Sequence, residues 1–95
     1  MQATTITVVV PGMLRDQCGG ARELKLDLAG TVRAALADIE RRHPGLYRSV
    51  CDETGRVRRH VGVFVGMDHI RDREGLDTTL AAGDVITILP SVSGG

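Results

Sequence analysis

The chain has 95 residues, 42% apolar and 25% charged, which is enough for one packed domain and excludes both a multi-domain enzyme and a disordered chain. Its 12 Lys+Arg balance 12 Asp+Glu, and its aromatics are one Tyr and one Phe. Zero formal charge removes the long-range attraction of a general nucleic-acid or membrane-surface binder, and two rings cannot build a base-stacking platform. No apolar run approaches a membrane span, and Met1-Gln2-Ala3-Thr4-Thr5 has neither the basic nor the apolar region of a secretion signal, so a cytoplasmic location is expected. Cys18 and Cys51 have no metal-ligand spacing and read as two free thiols of a reducing compartment.

Ile6, Val8 and Val10 alternate with their neighbours and predict a first strand, ended by Pro11-Gly12. A loop through Arg15, Asp16 and Cys18 to Gly19-Gly20 leads to a second strand, with Leu24, Leu26 and Leu28 on one face and Glu23, Lys25 and Asp27 on the other. The two strands read as a hairpin. Gly30-Thr31 then opens a helix whose Val32, Ala35, Leu36 and Ile39 form one apolar stripe. Thr31 is the expected N-cap, Arg41, Arg42 and His43 suit the negative end of the dipole, and Pro44-Gly45 stops the helix.

Beyond it, Leu46, Tyr47 and Val50 anchor a short turn, and Asp52-Glu53-Thr54-Gly55 is a tight one. Val61, Val63 and Val65 predict a third strand with Phe64 on its opposite face. After Gly66-Met67-Asp68, His69-Ile70-Arg71 reads as a short fourth strand, and Leu76 with Leu80 as one loose helical turn. Gly83-Asp84 turns the chain into Val85 to Leu89, an apolar run suited to a buried central strand, which Pro90 breaks. One striped helix must cover one face of one sheet. The predicted fold is therefore α+β, a β-grasp: a mixed sheet with the last strand central and parallel to the first, as a domain over 1–89 with a flexible tail over 90–95.

Conventional catalytic patterns are missing. His43, His60 and His69 show no ligand spacing and read as surface histidines. Ser91 and Ser93 have no base within local reach, and the glycines after the first strand open no helix, so they make no phosphate loop. Arg56, Arg58, Arg59 and His60 form a dense basic cluster that reads either as charge guarding a strand edge or as a docking patch for an acidic partner.

The carboxyl end carries more. Pro90 to Gly95 reach about 20 Å when extended, and Gly94-Gly95 offer no side chain to obstruct a narrow channel. Such a tail suits insertion of a carboxylate into another protein's active site. The segment Pro90-Ser91-Val92-Ser93-Gly94-Gly95 after Val85-Ile86-Thr87-Ile88-Leu89, with Gly30-Thr31-Val32 and Leu80-Ala81-Ala82-Gly83-Asp84, resembles the ubiquitin-like sulfur carriers. These include the small subunit of molybdopterin synthase and the thiamine-pathway carrier. Within that family, Leu14-Arg15, Gly19-Gly20, the stretch from Arg59 to Val65 and Ile88-Leu89-Pro90 are most similar to the actinobacterial carriers that supply sulfur for cysteine synthesis.

The resemblance implies a carrier and not a catalyst, with no cofactor or metal of its own. Gly95 would be the reactive end, and Pro90, Val92, Ser93 and Gly94 would thread the tail. An E1-like enzyme would adenylate the Gly95 carboxylate with ATP and magnesium and exchange one oxygen for sulfur. A PLP-dependent cysteine synthase would use the resulting thiocarboxylate, and a zinc metallopeptidase would release the product. Ser93 stands where many relatives have Ala, and it keeps the tail small. Molybdopterin or thiosugar synthesis are alternative clients. A protein modifier and a plain interaction module are alternatives of other classes. Alternation places Val9, Phe64 and Leu89 on the uncovered sheet face, which with Arg59 make a candidate docking surface.

Overall fold

The computed structural model describes residues 5–27 and 30–90. Strands β1 (Thr5–Val9) and β2 (Glu23–Asp27) pair antiparallel with Ile6 opposite Leu26, the predicted hairpin. Its connection is a 3-10 helix over Gly12–Cys18 and not an open loop. Leu14 N–H donates to Pro11 O at 2.9 Å, Arg15 Nε donates to Val10 O at 3.0 Å, and buried Cys18 anchors the end. With three residues per turn and one buried anchor, such a segment leaves no helical stripe in the sequence.

Helix α1 (Val32–Arg42) buries the four predicted residues, Val32, Ala35, Leu36 and Ile39. Thr31 Oγ1 accepts from Ala34 N–H at 3.2 Å, satisfying a donor that the first turn leaves free. After His43 the chain enters a second helix, α2 (Pro44–Val50), where a turn was expected. Pro44 both ends one helix and starts the next, because its missing N–H is not needed in a first turn. Leu46 and Val50, one turn apart, are fully buried.

Strands β3 (Val61–Val65), β4 (Asp68–His69) and β5 (Val85–Pro90) complete a sheet ordered β2-β1-β5-β3-β4. The last strand is central, parallel to β1 and antiparallel to β3. β4 is shorter than predicted: Ile70 turns inward to the core within a 3-10 turn over Ile70–Asp72. Leu76 lies in a second such turn, Gly75–Asp77, whereas Leu80 lies beyond it, buried, its N–H on Gly30 O at 2.8 Å. Pro90 does not break β5. It is the strand's last residue, paired with Val61, since a proline at a strand end forfeits one donor and keeps its acceptor.

The core lies between α1 and the inner sheet face, where Ile6, Val8, Leu26, Val63, Ile86 and Ile88 are shielded from solvent. Both cysteines are free and buried. No helix among the described residues is long and apolar enough to cross a membrane. Leu28 of the predicted second strand lies outside the described residues, as do Val92, Ser93, Gly94 and Gly95 of the tail.

Candidate functional site

The uncovered sheet face is set by strand alternation. Along one cross-strand row, Val9 of β1 faces Thr87 of β5, Thr87 faces Phe64 of β3, and Phe64 faces His69 of β4. In the next row Leu89, 46% exposed, faces Gly62. The glycine has a packing reason: a Cβ at 62 would stand 3.1 Å from Phe64 Cε1. The bare backbone therefore lets the half-buried ring lie close over the strand. The Phe64 and His69 rings meet edge to face with centroids 5.0 Å apart, a favoured aromatic geometry.

Between this face and the segments before β3 and after β4 runs an open groove of about 670 Å³. Val61, Phe64, Leu76 and Leu89 give it an apolar floor, Arg56, Arg58, Arg59 and Arg71 give it a basic rim, and Pro90 lines it where β5 ends. Among the described residues, no Asp or Glu lines it. In a chain of zero net charge, this local excess of cations is a strong departure from the average surface.

Local hydrogen bonding fixes the arginine-bearing loop. Asp52 Oδ1 accepts from the Thr54 hydroxyl at 2.6 Å, from Thr54 N–H at 2.8 Å and from Arg56 N–H at 3.1 Å. The Thr54 hydroxyl chiefly, with these amides, holds the Asp52 carboxyl below the usual carboxylate range. Cys51 bridges to Val57, Arg58 N–H donates to Val50 O at 2.8 Å, and Arg58 Nε donates to Arg48 O at 2.7 Å. The predicted Asp52–Gly55 turn is thus a clamp that ties the basic loop to α2.

Of the residues singled out in the sequence, Phe64, Leu89, Arg59 and Pro90 come together in this groove. Val9 shares their sheet face but sits two strands from Phe64 and does not line the groove. His69, Arg71 and Leu76 join the site without having been anticipated. Only the register of β4 reveals His69, and Arg71 and Leu76 arrive from turns with no period to read. The tail residues Val92, Ser93, Gly94 and Gly95 lie outside the described residues. Among the described residues, no cluster of His, Cys, Asp and Glu has the makings of a metal site.

Comparison with known proteins agrees with this architecture. The chain matches the ThiS family over residues 8–95. It is 34% identical over 92 residues to the sulfur carrier protein CysO of Mycobacterium tuberculosis, covering 95% of this chain and 98% of that one. It superposes on a chain of the Amycolatopsis orientalis BexX/CysO complex with a TM-score of 0.85 and 33% identity, covering 95% of this chain and 99% of that chain. The small archaeal modifier protein 1 of Methanosarcina acetivorans matches at a TM-score of 0.80 and 29% identity, over 100% of both chains. Strand order, helix placement and sequence likeness lead to one conclusion: the chain has the β-grasp fold and belongs to the ThiS family, small ubiquitin-like carriers that are not themselves catalysts.

Proposed function

We propose that this chain carries sulfur on its last residue. An E1-like enzyme joins the Gly95 carboxylate to AMP from ATP, with magnesium, releasing pyrophosphate. A sulfur nucleophile then displaces AMP, and Gly95 becomes a thiocarboxylate. The reading rests above all on the family match, which spans residues 8–95 and so takes in Gly94-Gly95. Activation is needed because a carboxylate is a poor electrophile and adenylate is a good leaving group. ATP and magnesium are the enzyme's reagents, and this chain needs no cofactor of its own.

The sulfur carrier CysO relatives support cysteine synthesis in the cytoplasm as the client, with a PLP-dependent synthase as acceptor and a zinc metallopeptidase for release. Cys18 and Cys51 are both buried, so neither thiol is placed to hand sulfur to a partner. The test is intact mass after incubation with ATP, magnesium, sulfide and an E1-like enzyme proven on another carrier. A gain equal to one oxygen replaced by sulfur, mapped to Gly95 and absent without ATP, is expected. No gain would overturn the reading. A second reading, protein modification, is favoured by the likeness to the archaeal modifier protein. Conjugates on a denaturing gel that survive reductant would support it.

A further inference from the structure

We propose that the outer edge of β2 pairs with the same edge of a second copy of this chain, Glu23 of one opposite Lys25 of the other. β2 ends the sheet order, and among the described strands it pairs with β1 alone. Val10 N–H donates to Arg22 O at 2.8 Å, so the backbone of Arg22 faces β1. Antiparallel alternation turns the backbone groups of Leu24 and Leu26 the same way, and those of Glu23, Lys25 and Asp27 outward. Arg42 agrees with this direction, its Nη1 donating to Lys25 O at 3.4 Å from the outer side. Such a row of outward amides and carbonyls is a template for another strand.

Charge selects both the partner and the register. The outward residues Glu23, Lys25 and Asp27 read acid, base, acid. Two such edges can run antiparallel only in registers that set outward residues opposite one another. With Lys25 opposite Lys25 of the second copy, like charges face each other throughout, because Glu23 then stands against Asp27. A slip of two residues sets Glu23 opposite Lys25 and Lys25 opposite Glu23, and both pairs attract. The lysine that guards the edge against other strands thus recruits its own copy. In this register Leu24 meets Leu24 at the two-fold axis, a non-hydrogen-bonded pair whose side chains approach most closely. Leu24 is only half-buried, whereas Leu26 is 1% exposed. The opposite slip, Lys25 against Asp27 about Leu26, therefore gains no such apolar cover.

About four backbone bonds and one leucine contact hold the pair, so the dimer is weak, with Kd on the order of 0.1 mM. Arg42, whose Nε also holds Asp38 Oδ2 at 3.3 Å, has to share or leave the Lys25 carbonyl. The two-fold axis stands perpendicular to the joined sheet, so both uncovered faces lie on one side and the two β5 ends point opposite ways. β3, β4 and Pro90, on the far side of β1 and β5, stay clear of the contact.

Sedimentation equilibrium of the full chain in reductant, from about 10 µM to about 1 mM, tests the pairing. A monomer–dimer equilibrium is expected, with amide exchange at Glu23 and Lys25 slowed only at the high concentration. Lys25→Glu should weaken the dimer about tenfold, and Arg42→Gln, which frees the carbonyl, should tighten it about threefold. Glu23→Lys/Lys25→Glu should restore it, since exchanging the two charges re-forms both pairs and shows that the single variant had not misfolded. A monomer throughout would overturn the proposal and leave the edge to a foreign strand. So would a dimer whose protected amides lie in β3 or β4. A dimer indifferent to Lys25→Glu, or one that the exchange fails to restore, would overturn the Glu23–Lys25 register.

Discussion

The ring of Phe64 stands edge-on to that of His69, the planes inclined at 68° across the β3–β4 pair. His69 Nδ1 also accepts from Arg71 N–H at 3.1 Å. One histidine thus props the aromatic floor of the groove and sets the start of the turn that brings Arg71 to its rim. His69→Ala removes both contacts and is expected to destabilise the fold by about 0.5–1.5 kcal/mol. Urea denaturation measures the loss, and the Arg71 amide resonance reports the freed turn.

Gly62→Ala places a methyl group 3.1 Å from Phe64 Cε1. The ring must swing away from the strand, and the Phe64 ring-proton shifts should change more than any others. A cost of about 1 kcal/mol is expected for this small overpacking at a partly open site. Unmoved ring resonances would show that the backbone gives way instead.

Gly83 adopts φ +87° in the turn leading into β5, and its N–H donates to Thr5 O at 2.8 Å. Side chains with a Cβ resist that conformation, so Gly83→Ala should cost about 1–2 kcal/mol even though open space surrounds the position. Urea midpoints measured against wild type check this. No loss would mean the turn re-forms with a different backbone.

Removing the Thr31 hydroxyl frees the Ala34 N–H that it caps. Thr31→Ala should lower stability by about 1 kcal/mol and Thr31→Ser by much less. The pair of variants separates the loss of a cap from the loss of packing by the Thr31 methyl group.

Burial pushes the Cys51 thiol from 9.0 up to about 11. Below pH 9 the thiol is neutral in both the folded and the unfolded chain and has no effect. Between pH 9 and 11 the unfolded chain ionises while the folded one does not, so stability falls as pH rises through that window. Urea midpoints on either side of pH 9 should diverge in wild type and diverge less in Cys51→Ala. Alkylation of native protein should be slow for the same reason.

Strand alternation and the stripe of α1 made most of the fold legible in the sequence. Ile6, Val8 and Val10 lie inside as read, and so do Val63, Ile86 and Ile88. What escaped was structure without a long period: the 3-10 helix before Cys18, and α2, whose first residue Pro44 reads equally well as a stop. The groove was half visible. Phe64 and Leu89 follow from alternation, and Arg59 from local composition. His69, Arg71 and Leu76 reach the groove through turns whose geometry rests on long-range packing, which no local pattern encodes.

The position of β5 decides how the domain bears a pull. A force applied at the carboxyl end enters the fold at Pro90 and runs along a strand bonded to β1 on one side and β3 on the other. Both ladders are then loaded in shear, and many bonds must fail together before the strand slides. A pull on the chain beyond Pro90 would therefore drag or turn the described domain as a rigid body, without unravelling the fold behind it.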